Sequence, residues 1–99
     1  MWYAVIGRDA PDSLPKRKSQ RAAHLERVVA LRDQGRILLA GPFPAIDAPD
    51  PGPAGFTGSL IVAEFESLEA AREWAEADVY LSAGVWTGVE VRPFLKVMP

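Results

Sequence analysis

Gly58 to Tyr80 reads GSLIVAEFESLEAAREWAEADVY, and its hydrophobic period changes once, at Ser67. Gly58 to Phe65 is a nearly unbroken apolar and β-branched run, which predicts a strand. Ser67 is a good N-cap, and Glu69 suits the first turn of a helix. Leu68, Ala71, Trp74 and Ala75 then recur at helical spacing, so a helix is predicted to about Ala77. Asp78 to Gly84 reads as a short helical turn closed by the glycine. Val85 to Leu95 reads as a last strand, with Val85, Thr87, Val89 and Val91 on one side and Trp86, Gly88, Glu90 and Arg92 on the other.

Upstream, Arg36 to Gly41 is another apolar run. It is continuous rather than alternating, which predicts that both its faces are covered. Between the two strands lies Pro42 to Thr57, rich in Pro, Gly, Ala and Asp and predicted to be a long loop of the kind that often carries function. At the start of the chain, Trp2 to Gly7 predicts a strand and Arg8 to Asp12 a turn. Pro11 and Pro15 hold off a helix until about Lys16. A helical pattern then runs from about Ser19 to Gln34. Leu25, Val28, Val29 and Leu31 lie on its packed side, Glu26, Arg27, Arg32 and Asp33 on the other, and Gly35 stands at the C-cap.

The order strand–helix–strand–strand–helix–strand is the α+β, ferredoxin-like split βαβ pattern: an antiparallel four-stranded sheet with both helices on one face. The uncovered face is expected to draw on Tyr3, Val5, Leu38, Ile61, Trp86 and Val89. An exposed apolar face signals an interface, and twofold pairing of two such sheets predicts a homodimer built as an α/β barrel. At 99 residues the chain is expected to form a single domain over residues 1–99.

Composition narrows the function classes. With 48% hydrophobic and 24% charged residues, the chain is an ordinary globular sequence. A net charge of −2 carries no footprint for nucleic acid or for an anionic membrane, and neither is expected as a partner. The absence of cysteine excludes disulfides and thiolate metal sites. No apolar run reaches the ~18 residues of a membrane span, and the first residues lack a basic leader, so a cytoplasmic location is expected. The one basic run is Lys16, Arg17, Lys18 and Arg21. It reads either as a solvated helix start or as a small anion site.

His24 is the only histidine. With Val28 and Leu31 it falls at i, i+4 and i+7, at the edge of the packed helix face. Histidine alone titrates unperturbed near neutral pH, which makes it the natural acid–base group; the plain alternative is a helix-edge histidine with a satisfied hydrogen bond. Asp78 continues the inward stripe of the second helix, where apolar neighbours and the helix C-terminus both disfavour a carboxylate. A cation, an imidazole or backbone donors must compensate, or else the residue caps the turn that follows. If the two meet, Asp78 would fix the imidazole tautomer and leave the other nitrogen of His24 free for proton transfer. Ser13, Ser19 and Ser59 lack a nucleophile-elbow setting. One histidine with scattered carboxylates is too small a ligand set for a metal site. The glycines form no phosphate or dinucleotide fingerprint, and no cofactor is expected.

Several short motifs, in this order and spacing, together resemble one family. They are Arg21-Ala22-Ala23-His24-Leu25, Gly35 to Pro42, Phe56-Thr57-Gly58-Ser59, Glu64 to Ala71, Asp78-Val79-Tyr80, Ala83-Gly84-Val85 and Arg92-Pro93-Phe94. The chain resembles the YciI-like (YCII-related) family over nearly its whole length, with Val79 where the family pattern has a proline. That resemblance implies a dimeric α/β barrel and a His–Asp active-site pair falling on His24 and Asp78. Arg21 and Ser59 match positions near the pocket and are implied to face the substrate. It also implies dehydrochlorinase-, isomerase- or lyase-like chemistry without a cofactor on a small cyclic or aromatic molecule. The other readings are a non-catalytic dimer that binds or senses a small molecule, its pocket lined from Trp74, Tyr80, Phe43 or Trp86, and an accessory dimerisation domain.

Overall fold

The computed structural model describes residues 1–99. The elements are β1 (Trp2–Asp9), α1 (Leu14–Asp33), β2 (Ile37–Pro44), β3 (Phe56–Glu64), α2 (Leu68–Glu76), α3 (Val79–Ser82) and β4 (Trp86–Phe94), with a single 3-10 turn at Gly52–Ala54. The sheet order is β2-β3-β1-β4 and every neighbouring pair is antiparallel. With the helices on one face, this is the ferredoxin-like α+β arrangement. No helix is long and apolar enough to cross a membrane.

Local chemistry sets the boundaries. Ser67 caps α2 by accepting a hydrogen bond from the Ala70 N–H at 3.0 Å. Gly35 follows α1 with φ +71°, a conformation that disfavours side chains with a Cβ. α1 starts at Leu14, several residues before the expected Ser19. Pro15 does not delay it, because a proline in the first helical turn lacks only an N–H that would have no partner there anyway. The expected Pro42–Thr57 loop is also shorter than predicted, since β2 continues to Pro44 and β3 begins at Phe56.

Tyr3, Val5, Ile61, Ala63 and Val91 form the main core with Leu31, Phe65, Ala71 and Ala75. This corrects the predicted uncovered face: Tyr3, Val5, Ile61, Trp86 and Val89 all pack in the cores. Cross-strand pairing puts Ala4, Ile6, Leu60 and Val62 on the opposite face, with Leu39 beside Val62. Both parities of β1 and β3 are apolar, so alternation alone cannot choose the face. Trp86 departs from the predicted alternation because the register shifts between Arg8 and Asp9, and that bulge turns its indole inward alongside Val89. Gly7 makes room for it: a Cβ there would lie 2.2 Å from the Trp86 indole. β2 is also not covered on both faces. It is an edge strand, bonded only to β3, and is exposed from Leu39 onward.

Candidate functional site

Two elements meet at Asp78: α1 brings His24 and Arg27, and Asp78 itself is the N-cap of α3, while Arg27 also reaches the Trp74 carbonyl at the end of α2. Its carboxylate is fully buried and takes every form of compensation open to it. The His24 Nδ1 lies 2.9 and 3.0 Å from its two oxygens. Arg27 Nη1 donates to Oδ2 at 2.9 Å, and the Tyr80 N–H donates to Oδ1 at 2.9 Å. The capping role and the pairing role, alternatives in the sequence, are both filled by this one residue.

Burial pushes the Asp78 carboxyl up, but the His24 hydrogen bond, the Tyr80 N–H and the charges of His24 and Arg27 outweigh it, so the group is held below its ordinary value. An ionised carboxylate only accepts, so Nδ1 carries the hydrogen between them. In its neutral form the imidazole therefore has Nε2 unprotonated, and Nε2 has no hydrogen-bond partner in the protein. The ring is clamped on its other sides. It stacks on Tyr80 with centroids 4.0 Å apart and planes at 4°, and meets Trp86 edge-on at 5.6 Å. Burial raises the Tyr80 phenol, against the opposing charges of Arg17 and Arg21, so it stays neutral.

His24 faces a cavity of about 230 Å³ between α1 and the β2–β3 side of the sheet. Arg21 and Ser59 line the same cavity, so three of the four predicted residues face one space, with Asp78 behind the imidazole. A wider trough of about 640 Å³ lies beside Met1, Arg36 and Trp74. Its two carboxylates, Glu64 and Glu66, are exposed, and no histidine reaches it.

Two further side chains hold the candidate site together. Arg27, expected on the solvent side of α1, folds over Trp74 at 4.4 Å and bonds the Trp74 carbonyl at 2.6 Å, as well as Asp78. Arg17, one of the run read either as a solvated helix start or as a small anion site, is buried. Its Nε and Nη2 bond both oxygens of Asp9 at 2.6 and 2.9 Å, and Nη2 also reaches the Gly58 carbonyl and Ser59 Oγ. A signal was available, since Arg17, His24 and Leu31 stand seven apart and are the three buried residues of α1. Two helical turns separate each pair, which puts them on one stripe.

The YCII-related domain model matches residues 1–95. A protein named YciI from Escherichia coli is 59% identical over 97 residues, 98% of this chain and 99% of that one. An uncharacterized protein of Haemophilus influenzae is 48% identical over the same share of both. Among solved structures, the 5-chloro-2-hydroxyhydroquinone dehydrochlorinase of Burkholderia phenoliruptrix, in complex with 2,5-dihydroxybenzoquinone, superposes with a TM-score of 0.83. It is 26% identical, over 96% of this chain and 94% of that one. The chain belongs to the YCII-related domain family.

Proposed function

We propose that this protein is a cofactor-independent acid–base enzyme acting on a small cyclic or aromatic substrate. The observation that carries the reading is His24, held by a buried carboxylate at Nδ1 while Nε2 is left without a protein partner on a ring that lines a cavity. Nε2 takes a proton from a substrate hydroxyl or carbon. The electron pair left behind forms a new double bond, and either the bond to a leaving group breaks, its pair departing with the anion, or the double bond is relocated. Asp78 stabilises the imidazolium that forms, which then hands its proton to product or water. Arg21, from α1, and Ser59, from β3, contact the substrate in the same cavity. The dehydrochlorinase similarity favours elimination among these reactions.

A second copy of the chain completes this reading. Leu39, Phe43 and Phe94 stay 39–48% exposed in a single chain, on the sheet and its β2 and β4 edges. Burying that surface in a twofold pair would remove it from water. Sedimentation should report a dimer, and Phe43→Lys should weaken it.

The test of the chemistry uses chlorinated hydroquinones and cyclic enol acids as substrates. His24→Asn and Asp78→Asn should each lose on the order of 10²–10⁴ in rate, the usual contribution of a positioned acid–base group. A His24→Asn protein that keeps its turnover would refute the mechanism. Ligand-dependent stabilisation with no product from any of these compounds would make the protein a binding module instead.

A further inference from the structure

The basic run at the start of α1 is divided by the helix. Lys16 and Lys18 are exposed, whereas Arg17 and Arg21 line the cavity, two turns and one turn before His24 respectively. No carboxylate lines that cavity. Asp9 and Asp78 sit behind the wall, each bonded to the inner side of a basic residue. Around the site stand three guanidiniums, Arg17, Arg21 and Arg27, against those two carboxylates, so the site is positive even with a neutral imidazole.

The hydrogen-bond inventory has the same bias. Arg17 is fixed by Asp9, Gly58 and Ser59, and by Phe56 and Tyr80 at 5.0 and 5.1 Å from its guanidinium carbon. Nη1 is its one nitrogen with no hydrogen bond in the protein. Ser59 Oγ accepts from Arg17, so its own hydrogen remains to be donated. Arg17, Arg21 and Ser59 therefore offer the cavity donors, and His24 Nε2 is the one unpartnered side-chain base. The volume is below the ~300–1,000 Å³ of pockets for drug-sized ligands, which limits the occupant to about one ring.

We infer that the cavity is specific for a small, single-ring organic anion whose charged oxygens lie on Arg17, Arg21 and Ser59. The inference rests on the proposed function insofar as both place the ligand beside His24. It adds the charge of that ligand and assigns Arg17, prefixed in geometry by Asp9, as the anion-holding residue.

Benzoate and benzamide test it, since they match in shape and differ in charge. The ring signals of His24, the only imidazole, report occupancy by NMR. Benzoate should shift them saturably, benzamide should not, and added salt should weaken benzoate. Arg21→Gln, at an exposed position, should weaken benzoate at least about tenfold, as expected for loss of a charge-assisted bond. Arg17→Lys, which keeps a cation beside Asp9, should weaken it by losing the fork. Equal shifts from both compounds would overturn the anion specificity and leave the site near His24 standing. No shift from either would overturn the ring-anion inference, and the proposed function falls with it only if wild-type protein also shows no turnover.

Discussion

Asp78→Ala is the sharpest test of how the site is held together. The substitution removes an acceptor that serves three donors from two elements while leaving those donors in place. The Tyr80 N–H loses its cap, which costs about 1 kcal/mol. Arg27 and His24 lose a buried counter-charge. Breaking such a pair costs about 3–5 kcal/mol, and the lower end applies because the Arg27 side chain is 24% exposed and can be partly hydrated. The expected loss is roughly 4 kcal/mol, a large share of the ~5–15 kcal/mol that stabilises a typical domain. At about 4–8 °C per kcal/mol for a domain this size, Tm should fall by roughly 15–30 °C. Asp78→Asn keeps an oxygen for the Tyr80 N–H and should lose only about 1.5–3 kcal/mol. Urea unfolding followed by tryptophan fluorescence measures both, at one fixed protein concentration so that self-association does not shift the midpoint. If Asp78→Ala unfolds within about 1 kcal/mol of wild type, or no differently from Asp78→Asn, the convergence on this carboxylate contributes no stability and the reasoning fails.

Acid should act through the same group. Its folded value lies below the ordinary 3.8, so the stability Asp78 contributes is complete above that value and is lost as pH falls through the folded one; unfolding curves from about pH 5 to 2 should be flatter for Asp78→Asn than for wild type. Gly7→Ala should destabilise by about 1–3 kcal/mol or more, because its Cβ meets the Trp86 indole at 2.2 Å, and near-ultraviolet dichroism should show the indole displaced. Arg17→Met should cost about 3–5 kcal/mol by stranding the buried Asp9 carboxylate, and adding Asp9→Asn should recover part of that loss in a double-mutant cycle. Ultraviolet titration should show the Tyr80 phenol ionising above its ordinary 10.0; normal ionisation there would contradict the closed stack on His24.

Much of this molecule is legible in its residues. The change of period at Ser67, its capping geometry and the glycine after α1 place four strands and two main helices in the right order, because each signal is local. Asp78 is legible for a different reason: it is out of place on an apolar stripe, and a misplaced carboxylate needs a partner; His24, at the edge of its helix face, stands out as the only histidine and through the family resemblance. The partners themselves are less visible. Arg17 and Arg27 have side chains long enough to reach carboxylates eight and fifty-one positions away, and sequence spacing does not show those partners. Which face of the sheet the helices cover is hidden by the apolar residues on both parities of β1 and β3. The inward turn of Trp86 depends on one bulge in β4, at Thr87, which no residue type announces.

The exposed β2 edge has a consequence for how copies of this chain can meet. An uncovered strand offers unpaired N–H and C=O groups to any passing strand and is an aggregation hazard. Pro42 and Pro44 stand in the outer half of β2, opposite Ser59 and Phe56. Neither carries an N–H, and a proline in a ladder leaves its donorless side facing outward. An incoming strand could bond to Ile37–Gly41 but would lose its register of donors beyond that point. Growth of the sheet sideways into a fibre is thereby interrupted, while the flat apolar face is left free to stack. The two prolines act as a stop on one mode of assembly and leave the other open.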